Sequence, residues 1–474
     1  MNRYCISIFL SSSIIPLVSE TATAWSNGGQ SSSINNPVFG THDYIAKKAA
    51  SFLPASERAW ILNNENAYLF GTEVPDYTGG TYGIGDTGMH HIYFKARGML
   101  VDDASARRAA QMYQSALEAL KKNEFEKAAV YTGAMTHYIS DSAVHAHTMG
   151  SNTVWGEERV HSAYESDVYW DTRFETSFYD RYISFDGQLE PTSAYWAAVL
   201  CGHDATFDND NTGMTNVNFD INYNYSNPEY KNRIGRVLNR TVNVIADVLH
   251  TLYIEWKGNI SQELNIFTPV VYLNEVEIDP PGADSGYQWF ELFIPTGQEK
   301  NASGIWLSTS SGRSYFIYEK FNFSASTQSD GSGNSAYPSG YYYVAKLPAK
   351  LFDPAQENIT LYSRYGVVLD TTGLFSDGKD DTRTAQRMPD SSKVYESFLK
   401  GENISSSFEL HVNTMGQFNK QVETSTCITV ATIIILIALP ILLIAFLVIR
   451  AKIRKKQGKD GPDSGDTGVY GLDE

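Results

Sequence analysis

Apolar residues recur every three or four positions along much of the first 260 residues, which is the period of an amphipathic helix. The segments 104–122, 127–148 and 230–256 follow this period. In the last of them one stripe carries the apolar side chains, namely Ile234, Val237, Leu238, Val242, Ile245, Val248 and Leu249. The pattern predicts an all-α domain over 25–264, whose helices can enclose a site.

From about residue 267 the pattern changes to short alternating apolar runs, separated by Pro, Gly, Ser and Asp. Such runs occur at 270–273, 315–318, 341–345 and 359–362. A period of two is that of a strand, and several short strands with such breaks are typical of a sandwich. The sequence therefore predicts a β-sandwich over 265–414.

The N-terminal segment has the features of a secretory signal. An apolar run at 6–18 follows Arg3 and is too short to span a bilayer, and Ala22 and Ala24 are small residues of the kind that a signal peptidase reads. We therefore expect a signal peptide over 1–24. Cleavage would leave Trp25 as the first residue.

Residues 427–449 contain no charged residue, and a cluster of Lys and Arg follows directly. A stretch of this length spans the hydrocarbon core, and the cations mark its cytoplasmic side. We expect a stalk at 415–426, one transmembrane helix at 427–449 and a cytoplasmic tail at 450–474. The predicted location is the cell membrane, as a single-pass protein with its N-terminal bulk outside the cell.

Charge and cysteine content narrow the functional classes. The formal net charge is −17 and the pI is about 5.1, so no overall positive field attracts nucleic acid, and no nucleic-acid partner is expected. Cys5 lies in the predicted signal peptide and Cys427 in the predicted transmembrane helix. Only Cys201 remains in the exported part, where it has no cysteine to pair with.

Seven of the ten histidines lie between residues 42 and 161. His137 and Asp141 are four residues apart, as are His161 and Glu165, and helical residues at this spacing share one face. Each pair can therefore bind one cation. Nitrogen and oxygen ligands without thiolate favour zinc, with manganese and iron as weaker alternatives, and a catalytic rather than a structural site.

These residues resemble the zinc-dependent phospholipase C family of bacteria. The family's core pattern is His-x3-Asp-x5-His-x13-His-x3-Glu, and the sequence matches every interval with His137, Asp141, His147, His161 and Glu165. One departure concerns His145, which lies where the family has Pro before the third ligand. His145 is therefore an alternative to His147, or a neighbour that supports the ligands.

Further positions extend the resemblance towards the N-terminus. The family's mature chain begins with Trp and continues to an early His, as Trp25 and His42 would here. Asp76 lies in a Pro-Asp-Tyr turn of the kind that supplies a carboxylate. The family's His-Phe-Tyr is similar to residues 91–93, which favours His91 as a ligand over the adjacent His90.

The resemblance implies an all-helical fold that holds three zinc ions. The first ion would be bound by Asp76, His91, His137 and Asp141. The second would be bound by His147, His161 and Glu165. The third would be bound by Trp25, His42 and Asp141, so that Asp141 bridges two ions.

Two residues have implied roles beyond binding zinc. Asp76 would take the proton from the attacking water, or serve as a ligand alone. Tyr77 would present an aromatic face to a quaternary ammonium headgroup, with simple packing as the alternative. Gly28 and Gly29 lie where some members have an acidic residue that binds choline. The sequence therefore does not determine which headgroup the enzyme prefers.

The function expected from this resemblance is phospholipase C activity at a cell surface, which releases diacylglycerol and a phosphorylated headgroup from a phospholipid. One alternative is a three-zinc nuclease for single strands, whose Gly-Gly-Asn and final His-x3-Asp are missing here. Another is a non-enzymatic, metal-binding surface adhesin. A metalloprotease is disfavoured because the sequence has no His-Glu-x-x-His.

The second domain resembles the lamin-tail domain, an immunoglobulin-like β-sandwich. The similar segments are 273–276, 279–282, 289–295 and 304–307. The resemblance makes Trp289 and Trp306 core residues, and it implies a binding or spacer function with an unknown partner.

Overall fold

The structure is a computed structural model. It describes residues 25, 31, 33–77, 81–95, 98–209, 213–282, 288–298, 304–317, 340–347, 350–377, 382–402 and 405–412. The predicted signal peptide, stalk, transmembrane helix and cytoplasmic tail lie outside the described residues. Within those residues, no helix combines the length and the apolar character needed to cross a membrane.

The N-terminal part is helical, as the three-to-four spacing predicts. Its helices are α1 (Thr41–Phe52), α2 (Ala55–Leu62), α3 (Glu65–Glu73), α4 (Ala104–Lys121), α5 (Phe125–Ser142), α6 (His161–Thr172), α7 (Ala194–Phe207), α8 (Asn216–Asn222), α9 (Pro228–Trp256) and α10 (Ile260–Phe267). Two short antiparallel strands, β1 (Tyr93–Phe94) and β2 (Leu100–Asp102), lie between α3 and α4.

Helices α5 and α9 form much of the helical core. In α5 nearly every residue from Ala128 to Ser142 is buried, and the helix packs against α3, α4 and α7. The apolar stripe predicted for α9 is buried throughout, which confirms that prediction. Asn227 caps α9 by accepting a hydrogen bond from the Glu229 amide, and Pro228 occupies the first helical position.

The backbones of α3 and α5 touch at two glycines. A Cβ atom on Gly133 would lie 2.0 Å from the Tyr68 carbonyl oxygen, and one on Gly71 would lie 2.2 Å from the Val130 carbonyl oxygen. Any larger residue would force the helices apart. This contact brings the C-terminal end of α3 beside the part of α5 that carries His137 and Asp141.

The C-terminal part is built of strands. Its elements are β3 (Tyr272–Glu277), β4 (Trp289–Pro295), β5 (Trp306–Thr309), β6 (Ser314–Phe316), β7 (Gly340–Lys346), β8 (Ile359–Tyr362), β9 (Val368–Thr371), β10 (Arg383–Met388), α11 (Ser391–Leu399) and β11 (Ser407–Val412). One antiparallel sheet has the order β11-β10-β3-β4-β7, and a second has the order β6-β5-β8-β9.

The two sheets share one hydrophobic core. Leu273 and Phe290 of the first sheet pack in the same cluster as Leu307 and Leu361 of the second. The prediction of a β-rich second part is therefore confirmed. Helix α10 ends at Phe267, so the predicted boundary between residues 264 and 265 falls within a helix.

The helical and β-rich parts pack against each other through aromatic rings. Trp196 of α7 lies 4.3 Å from Trp306 of β5 and 4.1 Å from Phe316 of β6, measured between ring centroids. Trp306 in turn stacks on Tyr362. Trp289 is buried, as predicted, whereas Trp306 is partly buried at this contact between the two parts.

Candidate metal centre

The centre is built around one face of α5. His137 and Asp141 are fully buried, and His137 Nε2 lies 2.9 Å from Asp141 Oδ2. The i, i+4 spacing places both side chains on the face that α3 and α1 cover. The sequence prediction that these two groups converge is thus matched by the geometry.

Helix α1 contributes His42 from the opposite side of Asp141. His42 Nε2 lies 3.2 Å from Asp141 Oδ1, and its ring stacks on the ring of His137 with 4.0 Å between centroids. Asp141 therefore presents one oxygen to His42 and the other to His137. A carboxylate with this arrangement can bridge two cations.

The structure places His90, and not His91, in this cluster. His90 Nδ1 lies 2.6 Å from Asp141 Oδ2 and 3.3 Å from His137 Nε2. His91 instead lies 3.2 Å from Asp102 of β2 and stacks on Tyr93. The preference for His91 is corrected: successive side chains of an extended segment point in opposite directions, and that of His91 points to the strand pair.

Asp76 ends a short 3-10 turn, Val74–Asp76, that follows α3. Its Oδ1 atom lies 3.5 Å from His137 Nε2 and 3.7 Å from His90 Nδ1. Asp76, His90 and His137 form one group that could hold a metal ion, and His42, His137 and Asp141 form another. Tyr77 follows Asp76 directly and is half-buried at the end of this turn.

A third group lies on the far side of His90. It consists of His147, which lies in the 3-10 turn His145–Thr148, with His161 and Glu165 of α6. Glu165 Oε1 lies 2.6 Å from His161 Nε2 and 3.9 Å from His147 Nε2. The rings of His90 and His147 are 6.3 Å apart, which places this triad next to the Asp141 cluster.

His145 does not take the place of His147. Its ring packs against Tyr164 and Phe219, with centroid distances of 5.0 and 4.7 Å, and it lines a small cavity of about 20 Å³. Its Nε2 atom lies 3.6 Å from Asp220 Oδ1. Of the two alternatives left open by the spacing, the geometry favours His145 as a neighbour that supports the ligands.

Trp25 lies beside the cluster and is fully buried. Its ring centroid is 6.5 Å from that of His42 and 6.5 Å from that of Tyr164. Trp25, the first residue of the predicted mature chain, thus lies next to His42, the ligand candidate on α1.

Hydrogen bonds to the outer ring nitrogens fix the orientation of two histidines. His137 Nδ1 lies 2.6 Å from the carbonyl oxygen of Thr72, so it donates there and leaves Nε2 as the basic nitrogen. His42 Nδ1 lies 2.7 Å from Ser140 Oγ. Sequence reasoning missed Thr72 and Ser140, although Ser140 directly precedes Asp141.

Burial and mutual charge set the protonation of the cluster. Burial alone would raise the pKa of Asp141, but His137 and His42 hold that pKa well below its usual value. Burial acts to lower the pKa of His137, and the carboxylates of Asp141 and Asp76 raise it well above its usual value. The Asp141 carboxylate and the protonated His137 ring thus stabilise each other as an ion pair.

In the triad, burial lowers the pKa of His147 well below its ordinary value and raises the pKa of Glu165 to about 8. Among the described residues, His147 Nε2, His161 Nε2 and Glu165 Oε1 are buried without a hydrogen bond of good geometry, as is Asp141 Oδ1. Unsatisfied buried polar atoms are costly, and here they converge. Imidazole and carboxylate ligands of this kind fit zinc.

The helical domain thus brings histidines and carboxylates together in groups that could hold metal ions. Residues 41–197, about a third of the chain, match the family model "Zinc dependent phospholipase C". This part of the chain is similar to that zinc-dependent family, and the match indicates a hydrolytic enzyme. Among curated proteins, no sequence matches significantly.

Two solved structures are similar at low identity. "Alpha Toxin from Clostridium Absonum" is 14% identical, with 73% of this chain and 98% of that chain covered and a TM-score of 0.34. The alpha-toxin of Clostridium perfringens, avian strain SWCP, is 13% identical, with 71% and 96% covered and a TM-score of 0.31.

Proposed function

We propose that the protein is a phospholipase C that cleaves the phosphodiester of a phospholipid on its glycerol side, giving diacylglycerol and a phosphorylated headgroup. The observation that carries the proposal is the position of Asp141 between His42 on one side and His90 and His137 on the other, beside a separate triad. Such an arrangement would hold several cations in one place, which a phosphodiester needs for its two free oxygens.

The candidate ligands divide into three sets, for three zinc ions. The first set is Asp76, His90, His137 and Asp141, with His90 in place of His91. The second is His147, His161 and Glu165, and the third is Trp25, His42 and Asp141. Zinc bound here would neutralise the phosphate oxygens and lower the pKa of a bound water to about 7.

The chain's own side chains position the reaction. Thr72 and Ser140 orient the rings of His137 and His42 by hydrogen bonds to Nδ1. Asp76 lies at the end of its turn with an oxygen beside two histidines, where it would accept the proton of the attacking water. Tyr77, the next residue, would contact the headgroup.

We further propose that the protein acts at a cell surface. The signal peptide at 1–24 would export it, and the transmembrane helix at 427–449 would hold it in the membrane with the enzyme outside. A lamin-tail-like, immunoglobulin-like sandwich would then space the catalytic domain from the membrane. The anchor favours a lipid substrate because it concentrates the enzyme at a lipid surface.

The test uses the chain from Trp25 to Glu474, which signal cleavage would leave, and mixed phospholipid vesicles with several headgroups. We expect release of diacylglycerol that a chelator stops and that His137→Ala abolishes. His411→Ala is the matched control, since His411 lies on β11 beside Glu409 and should leave the rate unchanged. Cleavage of single-stranded DNA or RNA with no action on phospholipid would instead support a nuclease.

A further inference from the structure

Asp220 of α8 is a buried carboxylate that contacts the segment leading into α6. Its Oδ1 atom accepts hydrogen bonds from the backbone amides of Arg159 at 2.8 Å and Val160 at 3.2 Å. Only 2% of Asp220 is exposed. The two amides stand directly before His161, the first residue of α6 and a member of the triad, so Asp220 fixes where that helix begins.

The same carboxylate also faces the turn that carries the second histidine of the triad. Asp220 Oδ1 lies 3.6 Å from Nε2 of His145, two residues before His147. At the other end of α8, the Asn216 amide donates to Thr148 Oγ1 at 3.1 Å. Helix α8 therefore holds both ends of the 3-10 turn His145–Thr148.

The ring of His145 is confined by the residues around it. It packs edge-on against Tyr164 of α6 and at 4.7 Å from Phe219, the neighbour of Asp220. The 3-10 turn, α6 and α8 are thus joined through one buried polar and aromatic contact. Arg159, Val160 and His145 each lie one or two positions from a candidate ligand.

We propose that Asp220 is a positioning residue for the metal triad, which sets the separation of His147 and His161 and so the affinity for the ion that they hold with Glu165. The proposal rests on the proposed function, in which this triad binds zinc. A residue that positions the ligands of a metal changes its affinity by about 10–100-fold when it is replaced.

The experiment is zinc titration of the chain from Trp25 to Glu474 against a chromophoric chelator, with the number of bound ions and each affinity as the readout. We expect Asp220→Ala to weaken one ion by about 10–100-fold and to leave the others unchanged. Asp220→Asn should weaken the same ion by a smaller factor, because its amide oxygen can still accept the two backbone hydrogen bonds.

Asp167→Ala is the matched control. Asp167 lies on α6 and accepts a hydrogen bond from Tyr223 at the end of α8, at 2.9 Å, so this variant breaks another α6–α8 contact away from the triad. It should leave all zinc affinities unchanged. A merely structural role for Asp220 would lower the thermal stability of Asp220→Ala and Asp220→Asn without selective loss of one ion.

A double variant connects the effect to the triad. Once His161→Ala has removed a ligand, adding Asp220→Ala should cause no further loss of zinc affinity, because Asp220 acts through His161 and His147. If Asp220→Ala does not fold, the Asp220→Asn titration decides the question.

Two results would overturn the inference in distinguishable ways. If the wild-type chain binds zinc and both Asp220 variants bind every ion equally well, the positioning role is wrong and the proposed function stands. If the wild-type chain binds no zinc at the triad, the proposed function fails together with the inference.

Discussion

His137 Nδ1 lies 2.6 Å from the backbone carbonyl oxygen of Thr72, which joins the central helix of the metal centre to the end of α3. The hydrogen bond requires the two helix backbones to approach closely, and Gly71 and Gly133 permit that approach. Packing of the helices and orientation of a candidate ligand therefore depend on the same two small residues.

The first prediction concerns this contact. Gly133→Ala should destabilise the fold by about 1–3 kcal/mol and weaken zinc binding, because its Cβ would overlap the Tyr68 carbonyl group. Urea unfolding and zinc titration measure the two effects. Gly88→Ala is the control, since its Cβ has no neighbour within 4 Å in the described part of the chain. Equal stability of the two variants would contradict the packing argument.

The second prediction separates the adjacent histidines. His90→Ala should lose zinc and most of the activity, because His90 lies 2.6 Å from Asp141. His91→Ala should retain both, because His91 contacts Asp102 and Tyr93 outside the cluster. Metal analysis of the two purified variants checks this. Greater loss of zinc from His91→Ala would restore the assignment that the sequence alone favoured.

The third prediction concerns the N-terminus. The backbone amine of Trp25 can bind zinc only when it is free, so an extra Met before Trp25 should cost one zinc ion. The ring of Trp25 lies beside His42, and the proposed third set of ligands contains both residues. Terminal sequencing and metal analysis of both forms give the answer. An active chain whose terminus lies elsewhere would exclude this role.

The fourth prediction is a pH dependence outside the metal centre. Burial raises the pKa of Asp247 to about 7, although Arg364 of the β-rich part acts in the opposite direction. In the folded chain the Asp247 carboxyl therefore keeps its proton up to about pH 7. In the unfolded chain the same group releases it near pH 4. The stability that comes from this proton is fully present below about pH 4 and is lost as pH rises through about 7.

Replacement of Asp247 with Asn removes this titration. Between about pH 4 and pH 7, the free energy of unfolding of Asp247→Asn should fall less steeply than that of the wild type, by at most about 1.4 kcal/mol per pH unit. Denaturant unfolding at several pH values measures the slopes. Parallel curves for the two proteins would show that Asp247 keeps its ordinary pKa.

Some of the site follows from the sequence because helix geometry is periodic. The spacing of His137 with Asp141, and of His161 with Glu165, is sufficient to place each pair on one face. The choice between His90 and His91 could not be made in this way, since neither lies on a helix and the contacts of His91 with Asp102 and Tyr93 arise only from the folding of the chain.

The residues that support the ligands could not be predicted from the sequence for a different reason. Thr72 and Asp220 lie far along the chain from the histidines that they position, and their roles arise from how α3 and α8 pack. The alternating pattern predicts the β-rich part from the local spacing of apolar residues, as the three-to-four spacing predicts the helices. It could not predict that Trp306 would lie against Trp196 of the helical part.

The most direct test is diacylglycerol release by the chelated chain from Trp25 to Glu474 as zinc is added back. The wild type should regain activity in step with zinc binding, and Asp141→Asn should not, because an amide cannot supply the negative charge between two dications. His145→Ala should be impaired less than Asp141→Asn. Activity that survives chelation, or an Asp141→Asn variant that recovers like the wild type, would contradict a metal centre built on Asp141.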